Sequence, residues 1–141
     1  MMHSDLLTQL LAAVRHDNVD RVIELLDRDA PANGRADGSG LTALHVAVEH
    51  SSHAALRVLL ARGARPDEEA HGLTPLGLAV DVMIDQVCQN GGDPDQTAID
   101  LLLVAGASPR AGATSAVDVA KRYGAPPELL RRLGALGEND A

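Results

Sequence analysis

Six histidines, one cysteine and twenty carboxylates carry whatever chemistry this 141-residue sequence can do. His50 and His53 stand three residues apart, and His71 falls in the next loop. Zinc catalysis needs three protein ligands held by further hydrogen-bonding groups. His50 and His53 flank a turn between two helices and have no cysteine nearby, so surface histidines are the simpler reading; a metal-dependent activity at this cluster is the rival one. Cys88, alone in the chain, excludes an intramolecular disulfide and a thiolate-cluster metal site. It lies beside Val87 with acidic neighbours, which oppose thiolate formation. Asp81 and Asp85, one helical turn apart, have the spacing of a carboxylate pair but also that of a solvated acidic face. The sequence contains no glycine-rich phosphate loop, no nucleophile elbow and no His-Glu-x-x-His. No catalytic, cofactor-binding or metal-ligating residue is therefore assigned, and the chain is expected not to be an enzyme.

Charge points elsewhere. The net charge is −8. No Lys or Arg occurs from Pro66 to Pro109, a stretch that holds Asp67, Glu68, Glu69, Asp81, Asp85, Asp93, Asp95 and Asp100. The remaining acids balance the 12 basic residues. If these carboxylates share a face, they repel phosphate and steer a basic partner, which excludes nucleic acid there. The start of the chain has no basic, apolar leader, and no stretch approaches the roughly 18 apolar residues of a membrane span, so a cytoplasmic location with no membrane partner is expected. The Ala-rich, Arg-over-Lys composition is one associated with bacterial chains.

Positioning these groups falls to short helices. Hydrophobic residues make up 45% of the chain, with one Tyr and no Phe or Trp, so any core is aliphatic. Apolar spacing and turn residues predict helices over about 5–16, 19–28, 43–50, 53–62, 75–89 and 96–105, then 115–124 followed by 126–133. Thr42 and Thr74 are N-caps, Pro75 occupies a first helical position, and Gly63 closes its helix in a left-handed C-cap. Thr42-Ala43-Leu44-His45 and Thr74-Pro75-Leu76-Gly77 lie 32 residues apart and are each followed by Leu-Leu and Gly-Ala. From Thr42 to Gly63 is 21 residues, whereas from Thr74 to Gly106 is 32, so about 11 residues have entered the third unit. Val80, Val82, Met83, Ile84 and Val87 predict that they prolong its first helix, with Asn90-Gly91-Gly92-Asp93-Pro94 as the break and Asp95 as the next cap. The added apolar residues need a cover, from the stack itself, from a partner or from a second copy.

The tetrapeptides at this period resemble the ankyrin repeat, with its Thr-Pro-Leu-His-x-Ala signature. The resemblance implies an all-α solenoid of paired antiparallel helices joined by hairpin-like loops, with an extended helix and insertion in the third repeat. Four repeats follow, at about 4–36, 37–68, 69–109 and 110–134, with a flexible tail over 135–141. It implies that Thr42 and His45 are structural, the hydroxyl capping its helix and the imidazole bonding the neighbouring loop. Gly77 and Asp118 replace that histidine, so a weaker loop network is expected around the third repeat. It further implies a non-enzymatic module that binds another protein, a basic one by charge, through a concave face. Carried over by position, the candidate residues are Ser39, Leu41, His71 and Leu73 on the loops and Glu49, His50, Asp81, Val82, Arg122 and Tyr123 on the helices, and the acidic stretch adds Asp85. Tyr123, the sole aromatic, is the natural hot spot unless it packs into the C-terminal cap. Inhibition of a basic toxin or nuclease is one form of such binding. A structural role as a monomer or weak homodimer is a further alternative.

Overall fold

The computed structural model describes residues 2–36, 40–91, 95–125 and 127–134, with side chains from residue 6 onward. Within them the chain forms eight α-helices: α1 (Met2–Arg15), α2 (Val19–Asp27), α3 (Ala43–Glu49), α4 (His53–Ala61), α5 (Pro75–Asn90), α6 (Thr97–Val104), α7 (Ala116–Arg122) and α8 (Pro127–Arg132). Three first helices begin the same way. The hydroxyls of Thr42, Thr74 and Ser115, in extended backbone, accept the N–H of the residue three positions on, at 3.4, 3.2 and 3.1 Å. Each bond satisfies one of the four amides a helix start leaves open. Between α1 and α2 and between α3 and α4 the chain reverses at Asp17 and Ser51, both at positive φ.

The helices pair as α1 with α2, α3 with α4, α5 with α6 and α7 with α8, and α1, α3, α5 and α7 pack successively in one row, with α2, α4 and α6 in a second. The all-α solenoid is thus observed. Among the described residues the loops carry only isolated antiparallel bridges, Arg35 with Thr42 and Ala70 with Leu73. One continuous aliphatic cluster runs from Leu10 through Leu44, Leu56, Leu76 and Leu102 to Leu133. α5 is 16 residues long against 7 for α3 and for α7, so the insertion lengthens this helix by about 14 Å at 1.5 Å per residue. Met83 stands where α3 and α7 have their turn residues Ser51 and Gly124, and is buried instead. Residue Asp95 ends the excursion by accepting both the N–H and the hydroxyl of Thr97, at 3.0 and 2.6 Å. These two bonds hold its carboxyl below the usual carboxylate range.

Helix ends of the second row repeat one motif. The N–H of Ala30, Ala64 and Ala107 returns to the carbonyl of Leu25, Leu59 and Leu102, at 3.0, 3.0 and 2.9 Å, closing a Schellman turn. The residue before each alanine is left-handed: Gly63 at φ 90°, Gly106 at φ 95°, but Asp29 at φ 68°. An L-residue there costs about 1–2 kcal/mol, part of which glycine returns as unfolded-state entropy. Asp29→Gly is therefore expected to stabilise the chain by about 0.5–1 kcal/mol, read as a higher urea midpoint at unchanged slope. A lower midpoint would show that the Asp29 side chain contributes more than its backbone costs.

Candidate protein-binding surface

His45 is a structural residue by its geometry. It is 1% exposed. Its Nε2 lies 2.9 Å from the Leu73 carbonyl, which can only accept, so Nε2 carries the proton and Nδ1 accepts the Thr42 hydroxyl at 2.7 Å. Burial is the main reason its pKa falls below the ordinary 6.5, against an upward pull from the Leu73 carbonyl. The next repeat has Gly77 instead. A Cβ there would come within 3.3 Å of the Leu73 side chain and 3.6 Å of the Thr114 carbonyl oxygen, so loop backbone sits over the space. The expected weakening is not what the structure has. Two bonds stand in for the imidazole, Thr114 N–H to the Gly72 carbonyl at 2.9 Å and Ala113 N–H to Glu69 at 2.8 Å, while Ser108 N–H to Asp67 at 2.8 Å repeats a bond that the preceding repeat also has. Asp118 in turn forms a capping box with Ser115, accepting its N–H at 3.1 Å. That N–H bond, with the Ser115 hydroxyl, holds the Asp118 carboxyl below the carboxylate range.

These bonds change the meaning of the acidic stretch. Asp67 and Glu69 are acceptors for the following loop, just as Asn33 accepts the Arg65 N–H at 2.6 Å one repeat earlier. Glu68 lies between Arg65, at 3.2 Å, and Arg35, at 2.9 Å, and the Arg65 hydrogen bond is the main cause of its lowered pKa. Arg35 also donates to the Glu69 carbonyl, and Asp100 pairs with Arg132. The basic partners come from flanking repeats, so the stretch is not the isolated negative region its composition suggests. Asp93 lies outside the described residues. Asp81 and Asp85 on α5 form no ion pair among the described residues; Asp85 accepts the Gln89 amide at 2.9 Å.

Counting from the caps Thr42, Thr74 and Ser115 puts Glu49, Asp81 and Arg122 at one position of α3, α5 and α7, and His50, Val82 and Tyr123 at the next. Neighbouring helix axes lie roughly 8–10 Å apart, so these residues form two adjacent rows across the stack. Glu49, His50, Arg122 and Tyr123 are exposed and Asp81 and Val82 half-buried. Leu41 and Leu73 are half-buried against the core, and Ser39 lies outside the described residues. Exposed His71 takes φ 56° at the tip of the Ala70–Leu73 bridge. The described residues contain no group of three His, Cys, Asp or Glu placed to hold a metal, so His50, His53 and His71 are not brought together.

Sequence reasoning missed a cleft. Because α5 runs on where α7 turns, Ile84, Val87 and exposed Cys88 stand beside Tyr123, Gly124 and Ala125, enclosing about 240 Å³ of mostly apolar space with Met83 at its base. A second hollow of about 320 Å³ continues it past Asp81 and Asp85. Tyr123 remains 54% exposed, so it is not absorbed by the cap. The signals available were the surplus apolar residues after Met83 and the lone aromatic, but nothing in their spacing joined residue 84 to residue 123.

Among the described residues no helix is long and apolar enough to cross a membrane. Residues 10–109 match the family model for ankyrin repeats, described as three copies. Over 86 residues the chain is 38% identical to human neurogenic locus notch homolog protein 4, a segment that is 60% of this chain and 4% of that protein. Matched caps, Schellman turns and bridging imidazole agree with that family model across more than half of the sequence, and the chain belongs to the ankyrin repeat family.

Proposed function

We propose that this protein is a non-enzymatic module that binds a partner protein across the hairpin tips and the first-helix rows, with α5 supplying the acidic contribution. Ankyrin repeats mediate protein–protein interaction, which makes protein binding the natural use of the exposed rows. The observation that carries the reading is the side-by-side placement of Glu49, His50, Asp81, Val82, Arg122 and Tyr123. Equivalent positions in successive repeats thereby present varied polar, charged and aromatic groups on one strip. A strip of this kind suits a protein interface, and Tyr123 suits its anchor. A basic partner is favoured because Asp81 and Asp85 are the acidic residues of α5 with no ion pair among the described residues.

Affinity capture from source-cell lysate tests this, in low salt and in about 0.5 M salt, where the screening length falls below about 8 Å. Recovery of one basic protein, lost at high salt and lost with Asp81→Lys/Asp85→Lys, is the expected result. Capture that ignores both salt and these substitutions would remove the charge from the reading. Absence of any partner, with mass rising as the chain is concentrated, would replace it by self-association.

A further inference from the structure

We infer that the cleft between the prolonged end of α5 and Tyr123 is a socket for one large apolar side chain of a partner protein, with a neighbouring Lys or Arg of that partner held by Asp81 and Asp85. This inference rests on the interaction-module reading and narrows it to one site and one partner chemistry.

The size of the cleft is the first reason. Its apolar part holds about 240 Å³, below the roughly 300–1,000 Å³ of pockets that take drug-sized molecules, and the adjoining hollow of about 320 Å³ is more polar, with Asp81 and Asp85 in its wall. A single side chain entering from a protein surface fits it better than a metabolite does. The second reason is that this part of α5 is surplus to the repeat. Seven residues complete α3 and α7, whereas beyond Met83 the helix leaves Val87 and Ile84 half-buried with Tyr123 open to solvent opposite them. The third reason is charge. Most acids of this stretch are hydrogen-bonded to loop amides or paired with arginines, while Asp81 and Asp85, one turn apart, line the continuation of the cleft. Two carboxylates at that spacing beside an aromatic ring suit a guanidinium, which donates bidentate bonds from its edge and stacks through its face. Arg122, exposed on α7 next to Tyr123, is not among the residues lining either hollow, so the partner's cation belongs beside Asp81 and Asp85.

Selection of phage-displayed random dodecapeptides against the full chain tests the inference, because Cys88 lines the cleft and is the only cysteine. Enriched peptides should carry Arg or Lys within about one turn of Leu, Ile, Met or an aromatic residue. Their synthetic versions should slow maleimide labelling of Cys88 several-fold. Binding should weaken at least about tenfold in Tyr123→Ala and in Asp81→Asn/Asp85→Asn, and persist in Tyr123→Phe. Tyr123 and Asp85 are exposed, and equal melting curves will show that these variants fold. Acidic or neutral peptides overturn the inference. So do peptides that leave Cys88 reactive and are lost instead with Leu41→Asp, which would move binding to the hairpin tips and leave the interaction reading intact. No enrichment overturns both. Protection of Cys88 that rises with protein concentration alone assigns the cleft to a second copy and overturns the basic-partner chemistry.

Discussion

Replacing Leu76 by Ala is expected to cost about 3–4 kcal/mol and to split the unfolding of the chain in two. Leu76 is fully buried on α5, the helix that packs on α3, α6 and α7. Truncating such a leucine loses its transfer free energy and leaves a cavity, typically about 2–5 kcal/mol together. Against a total stability of about 5–15 kcal/mol that is a large share. In a solenoid each repeat is stabilised chiefly by its neighbours, so damage at a central interface uncouples the two sides. Tyr123 makes this visible, because the only tyrosine sits at the end of α7 facing α5, and its fluorescence reports the last repeat and its contact with the third. In the unaltered chain the urea transitions by tyrosine fluorescence and far-UV circular dichroism should coincide, whereas in Leu76→Ala the fluorescence change should come first. Val104→Ala, at a residue 89% exposed, should move either transition by less than about 0.5 kcal/mol. Coincident transitions with a shift below about 1 kcal/mol in Leu76→Ala would disprove this assignment of the core.

His45→Ala is expected to cost about 2–4 kcal/mol at neutral pH and to abolish a pH dependence. The substitution opens a cavity and removes the imidazole from the Leu73 carbonyl and the Thr42 hydroxyl, which keep only their backbone partners, the Ala70 N–H at 2.8 Å and the N–H of residue 45 at 3.4 Å; each lost bond costs about 0.5–1.5 kcal/mol and the cavity adds to it. The sign of the pH effect follows from burial, which holds the imidazole neutral in the folded state below its ordinary value of 6.5, with Arg35 and His71 acting in the same direction and Leu73 and Glu49 against it. Between that lowered value and 6.5 the unfolded chain binds more protons than the folded one, so stability rises with pH and is lost as pH falls from 6.5. The slope is at most about 1.4 kcal/mol per pH unit for one proton. Protonation at Nδ1 would also turn the acceptor of the Thr42 hydroxyl into a donor. Glu68, Asp95 and Asp118 have lowered values too, from 4.5, 3.8 and 3.8, so their contributions disappear only in more acidic solution. Urea midpoints measured from pH 7 down to pH 5 should therefore fall in the native chain and fall less in His45→Ala. Parallel slopes would assign the pH dependence to other groups.

The acidic stretch shows where composition misleads. Eight carboxylates without a base between Pro66 and Pro109 read as one negative surface because a sequence displays only neighbours along the chain. The neutralising groups are remote: the Ser108 N–H for Asp67, the Ala113 N–H for Glu69, Arg35 for Glu68 and Arg132 for Asp100. Each comes from an adjoining repeat, 32 to 44 residues away. The repeat register itself contained the clue, since Asn33 and Asp67 follow Ala30 and Ala64 at the same offset and both accept an amide of the next loop.

What the sequence alone determined is the periodic, local part of the molecule. Thr42, Thr74 and Ser115 announce helix starts because an N-cap bond reaches only three residues. Gly63 and Gly106 mark helix ends because a left-handed turn is a property of one residue. The length of the insertion and its apolar pattern place the prolonged α5 to within a residue or two. Tertiary structure alone decided which charges remain unpaired, how loop backbone takes over from the missing imidazole at Gly77, and that Tyr123 faces Ile84 and Val87 across a cleft. The physical reason is one of range. Caps and turns are governed by bonds within a few residues, whereas the composition of a surface depends on which helix ends the stacking of successive repeats brings side by side.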